Sequence, residues 1–224
     1  MHFGVKDVIR RVRTYSGSRS RSSSVGSNGS RGSRSSTNIN IVNHGEMKIL
    51  VMGSHDVGKT TICKTYVGLE DGDDDLCLHD HDIPYDTSVF IDGDNGDIQQ
   101  YDLEIYDYDP DASPIKNRKL IGECDAFLLV YSITSKQSFL KLLEMKQDVS
   151  HIKGAGNHPI MFAVGNKSDL MLDSERVIKD DDLWSLNMDQ IDVSAKSNEG
   201  IQTAFKTLTN ECAKRKHNEK RPSQ

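Results

Sequence analysis

The sequence contains Gly53-Ser54-His55-Asp56-Val57-Gly58-Lys59-Thr60, which fits the phosphate-binding pattern G-x-x-x-x-G-K-S/T. Its two glycines let the chain turn tightly, so that successive backbone N–H groups and a helix N-terminus point at an anion. Residues 47–52 before the loop are typical of a short buried strand, and residues 61–67 after it predict a helix. Strand, loop and helix therefore stand in the order that phosphate binding requires.

Side chains and backbone have separate roles in this loop. Lys59 brings a positive charge to the β and γ phosphates, and the Thr60 hydroxyl is suited to Mg²⁺, which also bridges phosphate oxygens. We expect phosphate contacts from the other loop residues, Gly53, Asp56, Val57, Gly58 and Thr61. The alternative is a chance match in an ordinary glycine-containing turn.

A second motif, Asn166-Lys167-Ser168-Asp169, follows a predicted strand further along the chain. It is a candidate guanine reader, and the alternative is a plain turn after that strand. Because it occurs together with the phosphate loop, the sequence predicts a guanine nucleotide, GTP or GDP, with Mg²⁺.

Composition allows one ordinary domain with tails, since 224 residues with 35% hydrophobic content can supply a single core. The charge is uneven: residues 1–45 carry eight Lys or Arg against one acidic residue, although the whole chain has a formal charge of −6. This distribution argues against a nucleic-acid-binding protein. An RNA-linked role for the Arg/Ser-rich segment is a weaker alternative, because the segment is short and no aromatic stacking residues accompany it.

The first 45 residues divide into two parts. Residues 17–37 are mostly Ser, Gly, Arg and Asn, a composition that predicts disorder. Before them, Val5, Val8, Ile9 and Val12 have helical spacing among basic residues, which is compatible with a short amphipathic helix on an anionic membrane. A solvated tail and a mitochondrial transit peptide are the other interpretations.

The cysteines are scattered, without the close pairing of zinc or redox sites. There is no secretory h-region and no apolar run of about 18 residues. We therefore expect a reduced, soluble, cytoplasmic chain. The four cysteines, expected to be structural or incidental, are Cys63, Cys77, Cys124 and Cys212.

From residue 46 onward, predicted strands alternate with predicted helices. Residues 126–131 and 160–165 are apolar runs typical of buried parallel strands, and residues 101–106 alternate as a half-buried edge strand would. Residues 138–152 and 201–212 have helical periodicity. The pattern predicts an open α/β sheet with ligands at the carboxyl ends of its strands.

The order of the motifs resembles that of the Ras-like small GTPases over residues 46–216. Five segments carry the resemblance: residues 53–60, 85–87, 107, 166–169 and 194–196. It implies a P-loop G domain, α/β in class, with a mostly parallel six-stranded sheet and helices on both faces. Residues 1–45 would then be a basic disordered arm and residues 217–224 a basic tail.

The resemblance also implies individual roles. Asp169 would accept hydrogen bonds from the guanine N1 and exocyclic amine, Asn166 and the Ala195 N–H would meet the O6 and N7 side, and Lys167 would pack over the ring. Ser194 and Lys196 complete this nucleotide-binding set. Thr60, Thr87 and Asp107 would hold Mg²⁺, and Lys59, Thr87 and Asp111 are the candidate catalytic residues.

Hydrolysis is where the sequence departs from the family. The usual Asp-x-x-Gly-Gln is replaced by Asp107-Tyr108-Asp109-Pro110-Asp111, so Pro110 offers no N–H to the γ-phosphate and Asp111 stands at the glutamine position. An anion there should repel developing charge unless it acts as a base. His55 would crowd the transition state or an arginine finger, or act as a base itself.

Two functions follow from these departures. One is a signalling switch that binds GTP and GDP with Mg²⁺ and hydrolyses slowly or with a partner. The other is a pseudo-GTPase, a binding module whose nucleotide is structural. Protein effectors and regulators are expected partners, and the surfaces that would bind them carry no recognisable sequence motif. Second-switch departures and basic tails also occur in the Rad and Gem-type Ras relatives, a loose similarity.

The first switch and the chain end also differ from the family pattern. Residues 68–84 form a long Asp- and His-rich insertion, expected to be a solvated acidic loop rather than a metal site, with Tyr66 or Leu78 as candidates to stack on guanine. The chain ends without a Cys-a-a-X box, so we expect no prenylation. Lys214-Arg215-Lys216 and Lys220-Arg221 would allow weak anionic-membrane contact or form a solvated helix end.

Overall fold

The computed structural model describes residues 41–69, 83–93, 97–154, 156–171 and 176–219. The predicted amphipathic helix and disordered arm, most of the acidic insertion including Leu78, and the last five residues lie outside this part of the chain. Predictions on those segments remain predictions.

Six strands and five α-helices alternate along the described chain. The strands are β1 (Ile41–Met52), β2 (Tyr85–Asp92), β3 (Ile98–Asp107), β4 (Ala126–Ser132), β5 (Ile160–Asn166) and β6 (Gln190–Asp192). The helices are α1 (Lys59–Val67), α2 (Pro114–Glu123), α3 (Lys136–Lys153), α4 (Asp180–Trp184) and α5 (Ile201–Glu219), and Ser168–Leu170 forms one 3-10 turn.

The strands form one sheet in the order β2-β3-β1-β4-β5-β6. β4 pairs in parallel with β1, where Ile49 lies opposite Ala126, and with β5, where Ser132 lies opposite Asn166. β5 pairs in parallel with β6. These pairings confirm the predicted α/β class and mostly parallel six-stranded sheet.

The prediction for residues 101–106 is wrong in one respect. β3 lies between β1 and β2 rather than at an edge. Its inward side chains Tyr101, Leu103 and Ile105 are buried, and the residues between them are more exposed. The alternation of polar and apolar residues therefore reflects one solvent-facing surface of the sheet, which an interior strand can also have.

The central strand β4 is buried along its whole length, so helices must cover both of its faces. Phe127, Leu129 and Tyr131 pack in one cluster with Ile121 of α2 and apolar residues of α3. Because side chains alternate along a strand, Leu128 and Val130 face the opposite side, where α5 also packs. Helices on both faces confirm the predicted layering.

The described chain divides into two compact units. Residues 41–45 and 88–101 belong to the smaller unit, in which the rings of His44 and Tyr101 lie 5.5 Å apart. The described residues of 46–87 and 102–219 belong to the larger unit, which holds every candidate site residue that the structure describes. Within the described ranges, each helix is too short or too polar to cross a bilayer.

Candidate nucleotide-binding site

The phosphate loop is packed too closely for side chains at its two glycines. Gly58 has the left-handed φ of 93°, and a Cβ there would overlap the Asn166 side-chain nitrogen. A Cβ on Gly53 would overlap the Val130 carbonyl oxygen. Glycine is therefore required at both positions, in agreement with the motif.

Lys59 is the first residue of α1, and its side chain is buried, with 8% of the residue exposed. Its ammonium donates to the Ser54 carbonyl at 3.0 Å, across the loop. Burial lowers the pKa of Lys59, and the Asp107 carboxylate partly opposes this effect. A phosphate in the loop would favour the charged ammonium further, as a phosphate-binding lysine requires.

Thr60 and Asp107 meet beside the loop. The Thr60 hydroxyl donates to Asp107 Oδ2 in a short hydrogen bond, and Asp107 is buried at the end of β3, with 4% exposed. A hydroxyl and a carboxylate at this place form the hard oxygen donor set that Mg²⁺ prefers, so these residues fit the ion. Thr87, the third predicted Mg²⁺ ligand, lies in β2.

Asn166 connects the two predicted motifs. Its side-chain N–H donates to the Val57 carbonyl of the phosphate loop at 2.8 Å, and its side-chain oxygen accepts from the Ala195 N–H at 3.0 Å. The residue is 2% exposed at the end of β5. The phosphate loop and the two loops after β5 and β6 are therefore held together by a single buried amide.

Asp169 is held by Ser194. The buried Ser194 hydroxyl donates to Asp169 Oδ1 at 2.7 Å and accepts from the Ser197 N–H at 3.1 Å. Ser194 and Glu199 exchange two backbone hydrogen bonds of 3.0 Å, which fix the turn after β6. Asp169 itself is exposed on this support.

Lys167 and Lys196 are more exposed than their neighbours. Lys167 has a left-handed φ of 70° and is half-buried, while Lys196 is exposed. Tyr66, a candidate for stacking on guanine, instead stacks on Phe205 of α5 with ring centroids 3.8 Å apart. Burial raises the pKa of Tyr66 to about 12, so its phenol belongs to the α1–α5 contact.

The turn between β3 and α2 is built from the residues that depart from the family pattern. The Asp111 N–H donates to Asp109 Oδ1 at 2.9 Å, and the Ser113 hydroxyl caps α2 by accepting from the Lys116 N–H at 3.3 Å. The buried Asn117 donates to the Asp109 carbonyl at 3.0 Å. Sequence reasoning missed Asn117, whose only signal is a polar residue at an inward position of α2.

One contact joins this turn to the phosphate loop. His55 Nε2 lies 3.3 Å from Asp111 Oδ1. A cavity of about 740 Å³ opens beside this pair, between the phosphate loop and α3. Besides His55, its lining includes Asp56, Pro110, Lys141, Glu144 and Lys167.

A strand, a phosphate loop and a helix, joined at the carboxyl ends of a parallel sheet to an Asn-Lys-x-Asp loop, define the class of P-loop nucleotide-binding proteins. The family model described as "Ras family" matches residues 48–214. The chain belongs to the Ras family of small GTPases.

Individual relatives agree with this assignment. The chain is 29% identical to the human "GTP-binding protein RAD" over 75% of this chain and 53% of that protein. It is 30% identical to "Ras-like protein rasX" of Dictyostelium discoideum over 78% of this chain and 79% of that protein. The human "GTP-binding protein GEM" is 30% identical over 55% of this chain and 40% of its own length. The chain thus spans about half the length of the RAD and GEM relatives.

Proposed function

We propose that this protein binds GTP and GDP with Mg²⁺ and acts as a signalling switch with slow or partner-dependent hydrolysis. The observation that carries the proposal is the Asn166 side chain, which bonds both the phosphate loop and the loop after β6. Such a contact holds the phosphate end and the base end of one nucleotide site at a fixed separation.

Different residues of the site would bind different parts of the nucleotide. Lys59 and the loop N–H groups would bind the phosphates, and Asp169 would accept from the guanine N1 and exocyclic amine. Adenine lacks that donor pair, so ATP would leave the carboxylate unpaired. Thr60 and Asp107 would hold Mg²⁺, with Thr87 from the first switch as a further ligand in the GTP state. When bound, the ion would neutralise charge between the β and γ phosphates.

A pseudo-GTPase is the second candidate, and Pro110 favours it. Proline has no N–H with which to sense a γ-phosphate, so the usual ordering of the second switch by GTP is weakened. In this case the nucleotide would be a structural part of a constitutive binding module. The intact Lys59 and Thr60 favour the switch, because a structural nucleotide needs no γ-phosphate contact.

Base recognition is tested by Asp169→Ala, with Asp181→Ala on the exposed side of α4 as the matched control. Loss of the charge-assisted pair should weaken GDP affinity at least about 100-fold and leave thermal unfolding nearly unchanged. The measurement is competition of GDP and ADP for the full chain by fluorescent-nucleotide displacement. Retained preference for GDP in Asp169→Ala would contradict the assignment.

The two candidates are separated by single-turnover hydrolysis of GTP on the Mg²⁺-loaded protein, with bound nucleotide quantified before and after. Conversion to GDP within hours supports the switch. GTP that remains bound and intact supports the pseudo-GTPase or a strictly partner-dependent enzyme.

We also propose weak contact with an anionic membrane or an acidic protein, carried by the basic ends of the chain. Lys214, Arg215 and Lys216 lie near the end of α5, where Lys214 is paired with Glu211 at 3.3 Å and Lys216 with Asp125 at 3.0 Å. Such binding should fall sharply with salt. Co-sedimentation with phosphatidylserine vesicles at low and high salt tests it, and unchanged binding at high salt would contradict it.

A further inference from the structure

His55 and Asp111 are separated by 56 residues in sequence, yet their side chains meet at 3.3 Å. They come from the two segments that surround the γ-phosphate position in a P-loop site, the phosphate loop and the turn after the metal-binding aspartate. Both side chains remain open, with 60% of His55 and 80% of Asp111 exposed. The contact is therefore accessible to water and to a bound nucleotide.

The turn that carries Asp111 is held in place by its own neighbours. Asp109 bonds the Asp111 N–H through its side chain, and Asn117 of α2 bonds the Asp109 carbonyl. Pro110 between them has a fixed φ, which removes one source of flexibility. The Asp111 carboxylate is thus presented to His55 without needing the glycine N–H on which the usual second switch depends.

We propose that His55 and Asp111 together replace the missing water-orienting glutamine. His55 is the catalytic residue, accepting a proton from the attacking water through Nδ1, while its Nε2–H donates to the carboxylate. Asp111 is a positioning residue that fixes the imidazole tautomer and ring orientation. This inference rests on the proposed GTP-binding function and concerns the same site.

The step balances without any further reactant. The water oxygen forms a bond to the γ-phosphorus, and the bond from that phosphorus to the β–γ bridging oxygen breaks, leaving GDP with the bridging oxygen. The water proton passes to His55 and then to the released phosphate, which regenerates neutral imidazole. No electron transfer occurs, and no proton passes to Asp111.

The charges around Asp111 determine whether its carboxylate is tolerated near the γ-phosphate. Alone, Asp111 would repel the developing negative charge. Its contact with His55 lets the proton gained in the step be stabilised by the carboxylate, as in a His–Asp pair. The other charged groups lining the same cavity are Asp56 of the loop, Lys141 and Glu144 of α3, and Lys167 of the base-reading loop.

The first test uses full-length variants His55→Ala, Asp111→Asn, their double mutant and Asp111→Gln. We expect each single change to slow single-turnover hydrolysis by about 10- to 100-fold, and the double mutant to be no slower than the worse single. Asp111→Gln should retain more activity than Asp111→Asn. His151→Ala, at an exposed position in α3, is the control and should hydrolyse GTP like the parent.

Two further measurements separate catalysis from structure. GDP affinity should stay within about 2-fold in all variants, whereas binding of GDP with aluminium fluoride, a mimic of the transferring phosphoryl group, should weaken about 5-fold or more in His55→Ala and Asp111→Asn. The hydrolysis rate of the parent should fall in acid, because a protonated imidazole cannot accept the proton of the attacking water. In His55→Ala this pH dependence should disappear.

The outcomes distinguish failure of the His–Asp pair from failure of the proposed nucleotide binding. Tight GDP binding with additive losses, or with an unchanged pH profile in His55→Ala, would overturn the His–Asp pair and leave nucleotide binding intact. A parent protein that binds GTP without hydrolysing it would do the same. Failure of the parent to bind GDP would overturn the proposed function itself, and the inference with it.

Discussion

The loops after β5 and β6, which are the proposed base-reading loops, lie at the same edge of the sheet as the turn after β3. The two regions are built in opposite ways. Asn166 and Ser194 are buried, and the side chain of each makes two hydrogen bonds that cross between loops or tie one loop to itself. The second-switch turn presents Asp111 to solvent and touches the phosphate loop through one exposed contact. The first region follows the Ras pattern, and the second departs from it.

If the protein has the proposed function, this difference means that binding and hydrolysis would be supported by separate sets of contacts. Buried polar groups must be paired, so a change at the buried Asn166 or Ser194 is expected to lower both stability and affinity. Exposed pairs contribute little to folding, so the turn can change its chemistry without harm to the rest. The predictions below test whether the two regions can be perturbed independently.

The largest effect is expected from Gly58→Ala. The new Cβ would overlap the Asn166 amide and would also occupy a left-handed backbone, which costs about 1–2 kcal/mol on its own. We expect GDP affinity to fall more than about 100-fold, because the loop must shift away from Asn166. Isothermal titration of GDP measures this loss.

Gly68→Ala is the matched control for that experiment. Gly68 has a similar φ of 80° at the end of α1, but a Cβ there meets nothing within 4 Å. It should lower stability by the backbone cost alone and leave GDP affinity unchanged. Equal losses of affinity in the two variants would show that backbone strain, not the Asn166 contact, is responsible.

An intermediate effect is expected from Ser194→Ala. The change removes the hydrogen bond that orients Asp169 and leaves the Ser197 N–H without its acceptor, a loss of about 1–3 kcal/mol. We expect GDP affinity to fall roughly 10-fold, with the same factor in GTP affinity. Ser150→Ala, which removes one exposed hydroxyl bond in α3, is the control. A selective loss for GTP would contradict this role of Ser194.

A smaller effect is expected from Asn117→Ala. The variant loses the bonds that hold the turn at the carbonyls of Asp109 and Ala112, so hydrolysis should slow a few-fold while GDP affinity stays within about 2-fold. Amide exchange at residues 109–113 should become faster. Asn157→Ala removes one exposed bond elsewhere and serves as control. A fall in GDP affinity as large as that expected for Ser194→Ala would contradict the hypothesis that the two regions can be perturbed independently.

The smallest effect concerns α1, the helix that carries Lys59 and Thr60. Burial raises the pKa of Tyr66 to about 12 from an ordinary value of about 10, so the folded state favours the neutral phenol. This contribution to stability is complete below about pH 10 and is lost as pH rises toward 12, at no more than about 1.4 kcal/mol per pH unit.

Tyr66→Phe keeps the stack on Phe205 and removes the ionisable hydroxyl. Urea unfolding at about pH 8 and about pH 11 should therefore show a smaller alkaline loss in the variant than in the parent. Some loss should persist, because burial also raises the pKa of Cys124 and of Cys212 to about 12. Identical pH dependence in the two proteins would contradict the role given to Tyr66.

Local sequence predicted what depends on local geometry. The phosphate loop was predictable because the order Gly58, Lys59 and Thr60 suits a tight turn followed by a helix start. The central strand was predictable from the apolar run at residues 126–131. The edge assignment of residues 101–106 failed because alternation records exposure of one face, not the number of neighbouring strands. The meeting of His55 with Asp111 depends on how segments 56 residues apart pack. The contact of Asn117 with Asp109 depends on how the turn folds back onto α2, and no periodic pattern encodes either contact.

The Asn166 amide has a consequence for how the sequence can diverge. Its nitrogen must face Val57 and its oxygen must face Ala195, so replacing it by aspartate, leucine or a flipped amide leaves a group on one loop or the other without its complement. Because both partners are backbone groups, a side-chain change at residue 57 or 195 does not compensate for that loss. The constraint therefore falls on position 166, whereas positions 57 and 195 can change side chain without losing this contact, proline at 195 excepted.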